Sequence, residues 1–387
     1  MKILILGGDG YLGWPTAMYL SKKGYDVAVV DNMIKHFWEA EVGTTSLNPN
    51  IPLHKRISRW KDITGNNIKK FVVDIAENPG HVYKIFDEFK PDAIVHYAEQ
   101  PSAPFSMIDR AKCISTQQNN INGTLNILFA IQHSNPDIHI IKLGTMGEYG
   151  TPNIDIEEGW LEIEHNGRKD RMMYPKKPQS FYHLSKVHDS NNLEFACRIW
   201  GARVTDLNQG AVYGVHTNET KLHPDLYTSF HYDSIFGTVL NRFCIQATVS
   251  HPLTVYGKGT QIRGFLNIKD TLKCVELAIE NPAEKGEFRV FNQFTEQFSI
   301  NELAQKVKSV VESKGSSCYI ENIKNPRVEQ EEHYYNAKHS SLPDLGLNPE
   351  YLDNSVIEEI LEFGKLFQNR IDNTFILPKV QWAQDSE

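Results

Sequence analysis

The chain has 387 residues, of which 40% are hydrophobic and 23% charged, and its formal net charge is −8 at pH 7. This composition is typical of a globular protein with a sizeable core, and the negative charge argues against nucleic acid or an anionic membrane as a partner. A local basic pocket could still bind an anionic substrate. Five scattered cysteines without a C-x-x-C pair indicate neither a disulfide framework nor a zinc site, and the sequence predicts no metal centre.

No apolar run reaches the roughly 18 residues that a transmembrane helix needs, so we expect no membrane partner. The first strand begins at Lys2, which leaves no room for a signal or transit peptide within the sequence. The alternative is a precursor segment that is removed before residue 1. The sequence therefore predicts a cytoplasmic protein.

The N-terminus has the pattern of a strand, a glycine-rich turn and a helix. Residues 2–6 are apolar, glycines at 7, 10 and 13 give G-x-x-G-x-x-G, and the helix after them carries Pro15 in its first turn. Such a turn lets the backbone approach a pyrophosphate and points the helix N-terminus at its negative charge. The alternative is an ordinary tight turn. The predicted cofactor contacts here are Gly7, Asp9, Gly10, Tyr11, Leu12 and Gly13.

The second strand, residues 26–31, ends in an acid. The Asp31 carboxylate, with Asn32 beside it, could bind both ribose hydroxyls of a dinucleotide and repel a 2′-phosphate, which favours NAD over NADP. Lys35 and His36 could soften that repulsion. The alternative for Asp31 is a simple cap at the end of the strand.

A third strand is predicted over residues 71–75, and its last residues, Asp74 and Ile75, suit an adenine edge. The connection before it is long, which suggests either a flap over the site or a surface loop. Further strands are predicted over 92–98 and 139–144, and a sixth strand with a loop over 203–214, each with a helical pattern after or before it.

This alternation predicts an α/β fold with a doubly wound parallel (Rossmann) sheet and a smaller interwoven C-terminal α/β domain. We expect residues 1–214 with about 264–299 to bind the cofactor, and 215–263 with about 300–387 to bind the substrate.

Tyr182 and Lys186 stand four residues apart in a helical pattern, so their side chains leave the same helix face. An ammonium near a phenol lowers the phenol's pKa, and the pair could then exchange a proton with a sugar hydroxyl. Thr145 comes just past the fifth strand, at the sheet edge where ligands bind. A capping role is the alternative for Thr145.

The glycine turn, Thr145 and the Tyr182/Lys186 pair together resemble the extended short-chain dehydrogenase/reductase superfamily. Longer strings, at residues 7–14, 142–158, 180–190, 206–210 and 287–298, resemble the UDP-sulfoquinovose synthase family within it. The resemblance implies NAD as cofactor and UDP-glucose and sulfite as substrates. It further implies oxidation at C4, loss of water across C5–C6, addition of sulfite at C6 and reduction at C4, and, by analogy, a homodimer. Residue 101 departs from the family, with Pro where Arg is expected.

The resemblance also implies residue roles. Tyr182 would be the base for the C4 hydroxyl, Lys186 would hold the nicotinamide ribose, and Thr145 would hold O4. Gln209 would reach both cofactor and substrate, and Arg263 and Arg327 would bind the diphosphate, unless either Arg is a surface residue.

The elimination step needs further proton carriers. Related 4,6-dehydratases carry an acid and a base directly after the Thr, whereas here Met146 and Gly147 stand in those places. We hypothesise that His183 and Glu148 move the protons at C5 and C6. Glu148 could instead support another residue, and His183 could be a structural helix histidine.

Three other functions are compatible with parts of this pattern. A UDP-glucose 4-epimerase would use the same Thr, Tyr and Lys without elimination. A 4,6-dehydratase is disfavoured by the missing carboxylates. An NAD-binding sensor without turnover is disfavoured because a sensor needs no hydroxyl base.

Overall fold

The computed structural model describes residues 1–328 and 333–382. Residues 329–332 and 383–387, which belong to the predicted C-terminal domain, lie outside the described residues. The strands are β1 Lys2–Leu6, β2 Asp26–Asp31, β3 Ile68–Val72, β4 Ala93–His96, β5 His139–Thr145, β6 Trp160–His165, β7 Arg168–Met173, β8 Arg203–Gln209, β9 Ala211–Tyr213, β10 Leu253–Tyr256, β11 Ile262–Asn267, β12 Phe288–Gln293, β13 Glu296–Ser299 and β14 Ile320–Ile323.

The helices alternate with the strands through the first half of the chain. They are α1 Gly13–Lys22, α2 Ile34–Glu41, α3 Leu53–Thr64, α4 Pro79–Phe89, α5 Ala103–Ser106, α6 Arg110–Ser134, α7 Phe181–Trp200, α8 Val239–Thr248, α9 Ile268–Glu280, α10 Ile300–Ser313, α11 Ser341–Asp344 and α12 Asn354–Leu366. None of the helices within the described ranges is long and apolar enough to cross a membrane.

Seven strands form one parallel sheet in the order β12-β8-β5-β4-β1-β2-β3. Successive residues of β1 face opposite sides of this sheet. Ile3 and Ile5 pack in a core with residues of α1, α3 and α9, whereas Leu4 and Leu6 pack in a core with residues of α4, α6 and α7. Helices therefore cover both faces, and the predicted doubly wound α/β fold is confirmed.

The third strand differs from its prediction. β3 runs from Ile68 to Val72 at the edge of the sheet, so Asp74 and Ile75 lie beyond its end. An edge strand is partly exposed to solvent, and its exposed positions tolerate lysines. The first half of β3 therefore does not form an apolar run and was not predicted from the sequence. The Asp74 carboxylate instead shapes the following turn, where it accepts the backbone N–H groups of Ala76 and Glu77 at 2.9 and 3.0 Å.

The rest of the chain forms smaller layers beside the main sheet. One is a three-stranded sheet in the order β13-β11-β9, and another pairs β10 with β14. A third core, beside the two that cover the faces of the main sheet, joins α8, α10 and α12. β12, from the late segment predicted to belong to the cofactor domain, pairs with β8 in the main sheet. The division into two domains otherwise stays a prediction.

Candidate active site

A cavity of about 520 Å³ opens at the carboxyl ends of the parallel strands. Ligands bind at this edge of an open α/β sheet, because the loops that follow the strands converge there. Its wall combines the glycine turn after β1, the end of β2, the segments after β4 and β5, and residues of the smaller layers. The cavity therefore spans both parts of the molecule.

The glycine turn fits a pyrophosphate. Gly7 has φ +85°, a left-handed conformation that favours glycine, and a Cβ placed on Gly13 would lie 2.0 Å from the Gly7 carbonyl oxygen. The backbone of the glycine turn and the backbone at the start of α1 are therefore in direct contact, with no room for a side chain between them. Every predicted contact of this turn, Gly7, Asp9, Gly10, Tyr11, Leu12 and Gly13, lines the cavity.

Asp31 ends β2 at the cavity wall. One carboxylate oxygen accepts the N–H of Asp9 and the other accepts the N–H of Met33, both at 2.8 Å. Burial and the nearby Asp9 charge raise the pKa of Asp31. Each carboxylate oxygen has a second lone-pair site, so Asp31 can still accept ribose hydroxyls.

Asn32 and Ile75 also line the cavity, whereas Asp74 does not. The Asn32 amide donates to the Asp74 carboxylate at 2.7 Å. Asp74 holds Asn32 and the turn after β3. A direct contact between Asp74 and the adenine stays a prediction that this arrangement does not favour, because Asn32 and Ile75 form the cavity wall here.

The long connection before β3 folds into α2 and α3 and closes on the glycine turn. The buried Arg56 guanidinium pairs with one oxygen of Asp9, and His36 Nε2 lies 2.7 Å from the other. Burial raises the pKa of Asp9, but His36 and Arg56 outweigh it and lower that pKa, while Asp9 and Glu39 raise the pKa of His36 to about 9. Because Asp9 compensates the His36 charge, His36 adds little attraction for a 2′-phosphate.

The Arg56–Asp9 pair was not predicted. Arg56 sits among other basic residues in a polar helix, and its partner lies 47 positions earlier in the chain. Nothing in the local pattern of α3 distinguishes a buried arginine from an exposed one.

The Tyr182/Lys186 pair lies at the start of α7. Ser180 caps this helix by accepting the His183 N–H at 3.1 Å, and the Tyr182 N–H donates to Ser106 Oγ at 3.0 Å. Lys186 Nζ lies 5.8 Å from the centre of the Tyr182 ring. The predicted shared helix face is thus observed, and Tyr182 lines the cavity.

The predicted lowering of the Tyr182 pKa is wrong. The Lys186 ammonium donates to the Leu143 carbonyl at 2.6 Å and forms an ion pair with Glu99 Oε2, also at 2.6 Å. Burial, and then the Glu99 carboxylate, raise the pKa of the Tyr182 phenol. The pattern of Tyr and Lys on one helix could not reveal a carboxylate that comes from the end of another strand.

Thr145 and Gln209 end neighbouring strands and face each other in the register of β5 and β8. Both line the cavity. Thr145 Oγ1 accepts the Gly147 N–H at 3.1 Å, which caps the short turn after β5 and leaves the hydroxyl proton to donate. The Gln209 amide donates to Gln293 Oε1 at 3.0 Å. The capping and ligand-binding roles of Thr145 are therefore compatible.

His183 lines the cavity and packs on the turn after β5. Its Nδ1 lies 3.0 Å from Ser180 Oγ, and a Cβ placed on Gly147 would lie 2.3 Å from its Nε2. Only glycine at position 147 leaves this space. Burial, and then the Arg327 charge, lower the pKa of His183 to about 3. The imidazole is therefore neutral at physiological pH, and the same shift makes it a weaker base than a free imidazole.

Glu148 does not line the cavity, contrary to a direct role in proton transfer. It is fully buried, and its carboxylate accepts from Lys142 at 3.3 Å, from Ser190 Oγ at 3.1 Å and from Lys176. Burial opposes ionisation, yet Lys142 and Lys176 lower the pKa of Glu148 to about 2. This geometry favours the alternative, in which Glu148 supports the turn between Thr145 and α7.

Lys142 is the centre of that buried cluster. Its ammonium also lies 3.4 Å from Asp206 and donates to the Lys186 carbonyl at 3.3 Å and to Ser190 Oγ at 3.1 Å. It thereby ties β5 and β8 to the helix that carries Lys186. The signal was present in the sequence, since a lysine in the middle of an apolar parallel strand must be paired where it is buried.

Arg263 and Arg327 both line the cavity. Arg263 Nη1 lies 3.2 Å from His333 Nε2, and the Arg327 guanidinium lies 5.2 Å from the centre of the Trp382 ring. Pro101 is exposed at the same cavity and contributes no charge. The cavity therefore holds two guanidinium groups where a diphosphate is expected.

Comparisons with known proteins agree with this geometry. Residues 3–292 match the NAD dependent epimerase/dehydratase family. The chain is 54% identical to a chloroplastic UDP-sulfoquinovose synthase of Spinacia oleracea over 99% of its own length and 79% of that protein. It is 43% identical to a UDP-sulfoquinovose synthase of Sulfolobus acidocaldarius, over 99% of this chain and 98% of the relative.

Solved structures share the fold at lower identity. A UDP-glucose 4-epimerase of Thermotoga maritima with UDP-glucose superposes with a TM-score of 0.68 at 19% identity, covering 95% of this chain and 99% of that one. A UDP-glucose 4-epimerase of Bifidobacterium longum in complex with NAD+ and UDP gives 0.68 at 20% identity, covering 97% and 100%.

Proposed function

The chain belongs to the NAD dependent epimerase/dehydratase family and, within it, to the UDP-sulfoquinovose synthases, and we propose that its cavity converts UDP-glucose and sulfite into UDP-sulfoquinovose and water. One observation carries the redox part of this proposal. Thr145 and Tyr182, with Lys186 beside the phenol, face the same cavity as the glycine turn. Two side chains that can exchange a proton with a sugar hydroxyl thus share one cavity with a turn that can bind a dinucleotide. This combination suits the oxidation of a sugar carbon.

The residues at the glycine turn fit NAD. The Gly7–Gly13 backbone would hold the pyrophosphate, Asp31 and Asn32 the adenosine ribose, and Lys186 the nicotinamide ribose. When bound, NAD would accept a hydride from C4 of the sugar and later return it. The Asp9–Arg56–His36 contacts would keep the turn closed, because each oxygen of the Asp9 carboxylate has a partner on the connection before β3.

At C4, the Tyr182 oxygen would take the proton of the sugar hydroxyl and give it back in the last step. Thr145 would hold O4 by a hydrogen bond and so align the C4–H bond. Lys186 would keep its place through the Leu143 carbonyl and Glu99. All three groups come from two rigid elements, β5 and α7.

A ketone at C4 makes the C5 proton acidic. The neutral His183 imidazole would take that proton and pass it to the departing C6 hydroxyl, so that the C5–H and C6–O bonds break and water leaves. Sulfite would enter as bisulfite: its sulfur lone pair would form the C6–S bond as the C5–C6 double bond opens, and the bisulfite proton, relayed by His183, would be added at C5. Glu148, held by Lys142 and Lys176, would position the turn on which His183 rests.

The UDP moiety would lie across the smaller layers. Arg263 and Arg327 would bind the diphosphate, since planar guanidinium groups match phosphate oxygens. Gln209 would contact the sugar or the nicotinamide from the end of β8.

We also propose a homodimer. Helices α6 and α7 present Phe129, Phe195 and Ile199, which are 47%, 48% and 54% exposed, around Trp200. A contiguous apolar face on two adjacent helices suits an isologous contact with a second copy. Light scattering should give twice the chain mass, and Phe195→Glu should give a monomer.

The cytoplasmic location stays a prediction that cell fractionation would test.

The reaction itself is tested with UDP-glucose in the presence and absence of sulfite, followed by chromatography and mass spectrometry of the nucleotide sugars. A sulfonated product that depends on sulfite supports the proposal. UDP-galactose alone would indicate a 4-epimerase, a keto sugar alone a dehydratase, and no change a non-catalytic NAD-binding protein.

A further inference from the structure

Glu99 lies between the glycine turn and the Tyr182/Lys186 pair. It follows Ala98, whose backbone nitrogen would lie 2.8 Å from a Cβ on Gly7, so the segment directly after β4 packs against the glycine turn. Its side chain lines the cavity and is 2% exposed. A buried carboxylate at a cavity wall needs a compensating charge.

Lys186 supplies that charge. Its ammonium lies 2.6 Å from Glu99 Oε2, while His96 Nε2 lies 4.0 Å from Oε1. Burial lowers the pKa of His96 to about 4, so this imidazole is neutral at physiological pH. Neither oxygen of Glu99 accepts a hydrogen bond from another of the described groups. Lys186 is therefore the cation that faces Glu99 in this part of the described structure.

We propose that Glu99 is a positioning residue that makes the site favour the oxidised over the reduced nicotinamide cofactor. It anchors the Lys186 ammonium between the glycine turn and Tyr182. A nicotinamide must reach Tyr182 to react at the same sugar carbon, and so must pass this pair. The oxidised ring is positively charged and the reduced ring is neutral. Glu99 cancels the Lys186 ammonium, whereas without Glu99 that ammonium would repel the oxidised ring selectively.

The arrangement has a consequence for Tyr182. The Glu99 charge raises the pKa of the phenol, and a positive ring in the cavity opposes that effect. Tyr182 thus becomes a better base when the oxidised cofactor is bound. The same preference drives the final step, in which the hydride leaves the cofactor and the oxidised form is regained.

The test compares the two oxidation states by binding. Purified protein is equilibrated with mixtures of NAD+ and NADH in varied ratio, and bound NADH is read from its fluorescence. The midpoint is the NAD+ to NADH ratio at which half of the sites hold NADH. Glu99→Gln, which has nearly the same shape without the charge, should shift this midpoint in favour of NADH by about tenfold or more. Glu99→Asp, which keeps the charge, should shift it much less.

Asp206→Asn is the matched control. It also removes a fully buried carboxylate paired with a lysine, 3.4 Å from Lys142, but Asp206 does not line the cavity. It should lower stability and leave the midpoint unchanged. Equal loss of affinity for NAD+ and NADH in Glu99→Gln, or an equal shift in Asp206→Asn, would overturn the proposal. It rests on the proposed function only in requiring a nicotinamide cofactor, so a failure of the sulfite reaction would leave this result interpretable.

Discussion

Replacing Lys142 by Met should destabilise the protein far more than the loss of a surface ion pair. Met has similar length and no charge, so the change removes contacts to Glu148 at 3.3 Å and Asp206 at 3.4 Å while keeping volume. Both carboxylates are fully buried. Glu148 retains Lys176, whereas Asp206 keeps, of its hydrogen bonds within residues 1–328 and 333–382, the one from the Ser190 hydroxyl at 2.6 Å. Breaking a buried pair from one side costs about 3–5 kcal/mol, and we expect a loss in that range.

The assay is urea unfolding followed by circular dichroism, with the midpoint and slope fitted separately. Lys69→Met is the control, because its 2.6 Å ion pair with Glu88 is shorter but lies on the surface. That change should cost no more than about 1 kcal/mol. A Lys142→Met loss as small as that of Lys69→Met would show that the buried cluster is not electrostatically coupled, and the reasoning would be refuted.

Three further predictions concern the site. Tyr182→Phe should keep UDP-glucose binding and lower the rate of cofactor reduction, seen as NADH absorbance after mixing, by about 10²–10⁴-fold, and an unchanged rate would remove Tyr182 as the C4 base. His183→Ala should still reduce the cofactor but should lose exchange of the C5 proton with solvent, measured by mass spectrometry in deuterated water, and full exchange in the variant would assign the base elsewhere. The Glu148 pKa of about 2 in the folded protein lies below the ordinary value of 4.5, so the carboxylate contributes stability that is present above pH 4.5 and is lost as the pH falls toward 2. Glu148→Gln should flatten the pH dependence of the unfolding free energy in that window, and a parallel curve would contradict the assignment.

The cofactor end of the site could be predicted because its signals are local. The glycine turn, Asp31 and the Tyr182/Lys186 spacing each lie within a few residues, and periodicity placed them on the correct elements. Glu99 and Arg56 could not be predicted in the same way. Their partners, Lys186 and Asp9, come from distant parts of the chain and meet only when the sheet edge forms.

The predictions for the Tyr182 pKa and for Glu148 failed for the same reason, which is that contacts from distant parts of the chain decide both. The Tyr182 pKa was predicted from one neighbour on the helix, but burial and a carboxylate from another strand decide its direction. Glu148 stood one position from a family carboxylate in the sequence. Glu148 lies in a 3-10 turn that follows the end of β5 at Thr145. In such a turn a shift of one residue rotates the side chain by about a third of a turn, and Glu148 points into the buried cluster instead of the cavity.

The central claim is that one cavity oxidises C4, adds sulfite at C6 and restores C4. The most direct test supplies UDP-glucose deuterated at C4 together with sulfite and examines the product by mass spectrometry and proton NMR. We predict a sulfonated nucleotide sugar, formed only with sulfite, that keeps its deuterium at C4 because the hydride returns to the carbon it left. Loss of that deuterium to solvent, or a nucleotide sugar that forms equally well without sulfite, would contradict the account.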